Sequence, residues 1–441
     1  MFIAFPEVEG VVIEGMDAVS IPPMITVEET YDHQKIEDAA SCIRERLDAG
    51  ISHKERFCGK RIAVTVGSRG IPHLAEMVRA ICEELKAWGA LPFLVPSMGS
   101  HGGGTVFGQL EILRGYGITE EQMGVPILAT LDVVQYGELE NGIPLCCNRC
   151  AWEADGILLF NKVKPHTDFR GSHESGLAKM IAIGLGDHKG ASVIHGAGVE
   201  QFPTLLPAAA ERFIACRDLM IGIGVVQNAY DEICAIEAAE REHILELDRR
   251  LLALAKERIG KLKFDQCDIL ILDEIGKDVS GCGADPNVTG RPTDPGCRAF
   301  SEVLDTALVV VLGITPNTHH NACGIGLADV TTRDCLNEID WGPTWTNHFN
   351  SLELRCAHIP CYANSDRDAI LLALRNLPEE RRKRVKLARI RNTLEVSLVQ
   401  VSPALYEEMR EREGVRAVSG PEELRFDASG RLISTLGGQG A

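Results

Sequence analysis

In the first half of the chain, short apolar runs end in polar, glycine-bounded loops, and residues at helical spacing follow each loop. RIAVTVGSRG (61–70) is such a run, and IPHLAEMVRAICEELKAWGA continues it with a helical period. LPFLVPSMGSHGGGT (91–105) repeats the pattern and leads into GQLEILRGYGI. DGILLFNKVKPH (155–166) and DLMIGIGVVQN (218–228) supply a third and a fourth buried strand. Strand, polar loop and helix in repetition predict an α/β fold with a largely parallel sheet. In such sheets ligands bind beyond the carboxyl ends of the strands, where these loops lie.

The flanks are less regular. Residues 1–60 open with short extended pieces, then IEDAASCIRERLDAG reads as a helix closed by Gly50. EAAEREHILELDRRLLALAKERIGKL (237–262) reads as one long amphipathic, charge-rich connecting helix. FDQCDILILDEIGKDVSGCGADPNVTGR (264–291) and ALVVVLGITPNTHHNACGIGLADV (307–330) each give a strand and a glycine-rich loop. The expected organisation is two α/β domains, 1–263 and a smaller 264–404, with 405–441 offered as a return to the first. The active site is expected in the cleft between them.

Composition narrows the partners. The chain has 441 residues and a formal net charge of −18, which argues against a nucleic-acid backbone as partner but not against a small anion. No apolar run is long enough to span a bilayer, and the N-terminus lacks a basic leader. Fifteen cysteines, an odd number without a signal peptide, read as reduced thiols of a cytoplasmic protein. CCNRC (146–150) holds one C-x-x-C without a second pair, too few ligands for a closed zinc or iron–sulfur site.

The candidate chemistry gathers in KVKPHTDFRGSHESGLAK (162–179), too charged for core and without the apolar period of a surface helix. His166 is a candidate proton carrier, and Lys179, next to the apolar MIAIGLG, a candidate partly desolvated nucleophile. His173, His188 and His195 are further candidate imidazoles, but no H-E-x-x-H spacing links them. Arg69, after the first strand, suits a carboxylate clamp. His101 stands among small residues with little packing to explain it, and Lys277 follows a strand of the second domain. His319 and His320 read more simply as a solvated loop. GIGV (222–225) and SHGGGT lack the rest of a dinucleotide or P-loop signature.

Taken in order, SRG (68–70), GSHGG (99–103), KPH…GLAKM (164–180), IHG (194–196), VQNAYDE (226–232) and IGKDVSG (275–281) resemble the nickel-dependent lactate racemase family and its 2-hydroxy-acid racemase and epimerase relatives. The resemblance implies a nickel-pincer nucleotide, a pyridinium 3-thioamide-5-thiocarboxylate mononucleotide, bound covalently to Lys179 in the N-terminal, cofactor-binding domain. It implies His195 as the nickel ligand and Ser68 as a cofactor contact. His101 and His166 would then be the acid/base pair, Arg69 the carboxylate anchor, and Lys277 a lysine closing over the site. The implied reaction is reversible hydride transfer at C2 of a 2-hydroxy acid, and the implied partners are that substrate and cofactor-maturation enzymes. A homodimer is left open.

Two departures touch the pocket. Val66 stands where lactate racemases carry an acid three residues before the arginine, and the segment from His166 to Lys179 is longer, adding His173 and Glu174. Both point to a substrate other than lactate. Two other readings remain: a zinc or iron hydrolase built on the histidine-rich loops, and a non-catalytic nucleotide- or metal-binding protein.

Overall fold

The computed structural model describes residues 1–68, 70–293, 300, 302–433 and 436. They form two compact units, 33–259 and 1–32 with 260–441. The division corrects the expected domains. Residues 1–32 belong with the C-terminal unit, and so does the closing segment, because non-local strand pairing holds them there. β1 (Met24–Glu29) lies in that unit's sheet.

The unit 33–259 is built on β2 (Arg61–Val66), β3 (Leu91–Pro96), β6 (Gly156–Lys162), β7 (Met220–Gln227) and β8 (Ile233–Glu240), with β4 (Val133–Glu138) and β5 (Pro144–Asn148) as a separate hairpin. The five-stranded order is β3-β2-β6-β7-β8, parallel except for β8. The runs read from sequence are its centre, and every residue of β7 is buried. That is the signature of a strand covered on both faces. Gly222 and Gly224 of the GIGV run serve packing. A Cβ on Gly224 would stand 2.3 Å from Leu251 Cδ1, and one on Gly222 3.0 Å from Leu177 Cδ1. The glycines let the helix Ile244–Arg258 lie close against β7.

The predicted long helix over 237–262 is in fact an edge strand followed by that shorter helix. Ile233 and Ile236 of β8 are buried while its Glu237 and Glu240 lie toward solvent, so the segment pairs antiparallel with β7. Its glutamates and alanines carry a helical preference that sheet pairing overrides.

The other unit has β9 (Gln266–Leu272), β10 (Asp305–Val311), β11 (Val330–Thr332), β12 (Cys361–Ala363), β13 (Leu387–Ile390), β14 (Leu398–Val401) and β15 (Val415–Glu422). With β1 they form an eight-stranded sheet, β12-β11-β10-β9-β13-β14-β1-β15, parallel from β12 to β13 and antiparallel beyond. Both sheets are thus mixed and largely parallel, as the α/β reading expects. No helix among the described residues is long and apolar enough to cross a membrane.

Glu29, at the end of β1, is fully buried. Its carboxylate accepts from Tyr31 Oη at 2.7 Å and from the Lys263 backbone N–H at 3.2 and 3.0 Å. Burial outweighs these bonds and pushes its pKa up to about 7. A raised carboxyl holds its proton in the folded chain while the unfolded chain, near 4.5, has lost it. The associated stability is therefore present below the unfolded value and lost as pH rises through about 7. Glu29→Gln should gain roughly 2 kcal/mol relative to wild type between about pH 5 and 8, read by urea titration of each at both pH values. A difference independent of pH would contradict this ionisation.

Candidate functional site

Ser68, His101 and His166 follow β2, β3 and β6, so all three lie beyond the carboxyl ends of neighbouring parallel strands. The stretch 162–179 is a closed loop. Lys164 and Ser175 exchange backbone hydrogen bonds at 2.8 and 3.2 Å, after which the chain enters the helical turn Leu177–Lys179. A buried carboxylate pins each end of it. Glu174 accepts from the His166 N–H at 2.7 Å and from the Gly171 N–H at 3.1 Å. Its charge is met by Lys256 at 2.6 Å and Arg170 at 3.5 Å. Asp248, on the helix Ile244–Arg258, accepts from the Leu177 N–H at 2.6 Å and the Ala178 N–H at 3.3 Å. It also meets His173 Nδ1 at 3.0 Å. A Cβ on Gly176 would fall 2.0 Å from Asp248 Oδ1, so only glycine fits where the loop meets that carboxylate.

The titratable richness of the stretch thus has two sources. His166 and Lys179 face each other, Nε2 to Nζ, in a hydrogen bond. His173, Glu174 and Arg170 belong to the scaffold beneath them. His166 is buried, tilted on Phe169 with ring centroids 4.5 Å apart, and its Nδ1 accepts from the Asp168 N–H at 3.1 Å. With that acceptor in place the neutral ring carries its proton on Nε2. When the proton moves to Nδ1, which lies 3.4 Å from Asp168 Oδ2, Nε2 becomes an acceptor for the Lys179 ammonium.

Beyond Lys179 the chain makes a π-helical turn, Met180–Gly184, and then the helix Asp187–Gly196, which carries His195 in its last turn. Such π-turns shift the register of the downstream helix and concentrate at functional sites. Asp187 opens that helix at φ 49°, its side chain accepting from Gln109 Nε2 at 3.2 Å and Asn148 Nδ2 at 2.7 Å. Burial pushes its pKa up to about 6 despite both bonds. His195 packs edge-on against Phe202, and neither ring nitrogen has a hydrogen-bond partner among the described residues. Burial and, second, the charge of Lys179 hold its pKa down to about 4, so the ring is neutral near pH 7. A neutral imidazole with unengaged nitrogens is the form that ligates a metal.

The glycine loop that carries His101 rests on this helical run. Gly99 N–H donates to Gly184 O at 3.3 Å, and a Cβ on Gly104 would stand 3.2 Å from the His188 ring. Gly99, Gly102, Gly103 and Gly104 all have positive φ, the backbone freedom expected of that sequence. His101 Nδ1 is hydrogen-bonded to Ser68 Oγ, and Tyr116 Oη donates to Ser68 O at 2.7 Å. Arg69 lies outside the described residues. Lys277 belongs to the other unit, where its Nζ donates to Asn347 Oδ1 and its N–H to Thr318 Oγ1 at 2.9 Å.

The sequence reading missed Asp248, and a signal was present. In ILELDRRLLALAKER the buried stripe is Ile244, Leu247, Asp248, Leu251, Leu252 and Ala255, so an acid occupies an apolar position. Glu174 was in view without a role. Among the described residues the four imidazoles do not form one metal site. Among the described residues no three donors of these loops lie close enough to share an ion. Cys146 and Cys147 are buried on β5, and the described cysteines are free thiols.

No protein-family model and no curated protein matches the chain. In structure it is similar to the lactate racemase apoprotein from Thermoanaerobacterium thermosaccharolyticum, at 12% identity and a TM-score of 0.46, over 77% of this chain and 87% of that one. It is also similar to a structural-genomics structure of a Thermotoga maritima protein, at 14% identity and a TM-score of 0.45, over 73% and 80% of the two chains. Likeness at this level assigns no role to any residue.

Proposed function

We propose that this chain is a racemase or epimerase of a 2-hydroxy carboxylic acid that works with a nickel-pincer nucleotide tethered to Lys179. The observation that carries the reading is the helical run 177–196. It presents an amine at Lys179, against His166, and a neutral, unengaged imidazole at His195. Those two groups fit the cofactor's needs, an acylatable amine and a nitrogen donor for a borderline metal. The colinear sequence motifs support the same assignment.

The chemistry the cofactor supplies when bound is reversible acceptance of hydride from C2 of the substrate. The chain's part is proton handling and orientation. His166 takes or returns the hydroxyl proton at Nε2 in the tautomer whose ring proton sits on Nδ1, 3.4 Å from Asp168 Oδ2. His101 does the same for the opposite enantiomer, held through Nδ1 by Ser68. Attachment of the cofactor through Lys179 would remove the charge of that amine and leave His166 Nε2 free for substrate. Arg69 pairs with the substrate carboxylate. Val66 is fully buried in the core and offers no charge at the place where lactate racemases have an acid, so we assign a hydroxy acid other than lactate.

In matured protein, His101→Ala and His166→Ala should each lower racemisation by about 10²- to 10⁴-fold, the usual worth of a general acid/base. Nickel content should stay at the wild-type level. Chiral chromatography over a panel of 2-hydroxy acids and metal analysis read the two quantities. Nickel lost from both variants would contradict the assigned roles.

A further inference from the structure

A second cluster of metal-ligating groups lies in the other unit, close to Lys277. The helix Trp341–Ser351 ends at Leu352, which adopts a left-handed φ of 63° and turns the chain back on itself. The short helix Leu354–Ala357 follows. A ring nitrogen of His348, a carboxylate oxygen of Glu353 and Sγ of Cys356 thereby come within 4.8 Å of one another. His348 is 1% exposed and Cys356 fully buried.

The His348 ring is also incompletely satisfied in its resting tautomer. His348 Nε2 accepts from the Gly324 N–H at 3.0 Å, but its Nδ1, which then carries the ring proton, is buried without a hydrogen-bond partner among the described residues. Leaving such a nitrogen unpaired costs about 1–3 kcal/mol, and buried orphans of this kind ask for an explanation. Burial and, after it, the Lys277 charge hold the ring neutral near pH 7.

We propose that His348, Glu353 and Cys356 bind a borderline divalent cation of the zinc class. Nitrogen, carboxylate and thiolate donors together suit zinc or cobalt rather than magnesium or calcium. Nε2 is taken by Gly324, so Nδ1 is the ligating nitrogen. Cys356 binds as thiolate and gives its proton to solvent, with no change of oxidation state. Binding through Nδ1 moves the ring proton to Nε2, where it faces the Gly324 N–H. That hydrogen bond is therefore lost when the ion enters. Three protein ligands leave a fourth position open.

The test uses full-length protein made without cofactor maturation, stripped with chelator and titrated with Zn²⁺ and with Co²⁺. About one ion should bind per chain, and the cobalt form should show a thiolate-to-metal charge-transfer band. Cys356→Ser should abolish that band, Glu353→Gln should weaken binding about tenfold, and His195→Ala should bind as wild type does. Hydrogen exchange at the Gly324 amide should quicken on binding. Absence of any bound ion, an unchanged band in Cys356→Ser, or a Gly324 amide that stays protected while the ion binds would each overturn the proposal. If a variant does not fold, hydrogen exchange at the Gly324 amide of the wild type, with and without the ion, decides the matter.

Discussion

Asp248→Ala should destabilise the protein by about 3–5 kcal/mol, because it strips the acceptor from several buried donors at once. The Leu177 and Ala178 amides and His173 Nδ1 all turn to this one carboxylate, which lies inside the protein beneath the start of the Lys179 turn. A loss of that size is a large share of the roughly 5–15 kcal/mol that holds a domain together. Gly176→Ala should cost a comparable amount by a different route. It keeps every polar atom but drives a methyl to within 2.0 Å of Asp248 Oδ1, forcing the carboxylate from its donors. Arg250→Ala, on the same helix but in an exposed pair with Glu237, should change stability by about 0.5 kcal/mol or less. Urea titration of the three variants separates these cases. An Asp248→Ala protein within about 1 kcal/mol of wild type would mean the carboxylate does not organise the loop.

Lys179→Ala carries the largest functional effect. The side chain is half-buried and its amine is hydrogen-bonded to His166, so its removal should leave the fold standing. Cofactor attachment and turnover should both vanish, since the other amine at this scaffold, Lys256, is paired with the Glu174 carboxylate. The unloaded variant offers a readout that needs no cofactor. Lys179 is the second cause of the lowered His195 pKa, after burial. Without it the His195 titration should move up from about 4, yet stay below the ordinary 6.5 because burial remains. Titration of the His195 ring signals by NMR checks the sign, and an unmoved His195 would separate the two side chains electrically.

The parallel strands were legible because a strand covered on both faces must be apolar throughout, as in RIAVTV and MIGIGVVQ. The site loops were legible for the related reason that a parallel sheet gathers polar loops at one edge. β8 was not, because its glutamates and alanines mimic a helix and only its pairing with β7 reveals the strand. β1 was not, because it pairs with β14 and β15, strands close to four hundred residues away in sequence. Among the site residues, His166 and Lys179 stood out by composition, whereas the buried acids beneath them did not. Glu174 looks like one more charge in a charged loop. Asp248 becomes visible only when an acid on the apolar stripe of Ile244–Arg258 is treated as an anomaly to be explained.

The central claim is that Lys179 carries a nickel-pincer nucleotide with His195 beside it. It is tested most directly by intact mass and metal analysis of protein produced together with cofactor-maturation enzymes, with Lys179→Ala as control. An adduct that maps to Lys179 and about one nickel per chain at the site of His195 are expected, with neither in the control. Folded wild-type protein with an unmodified Lys179, or an adduct and nickel that persist in Lys179→Ala, would contradict it.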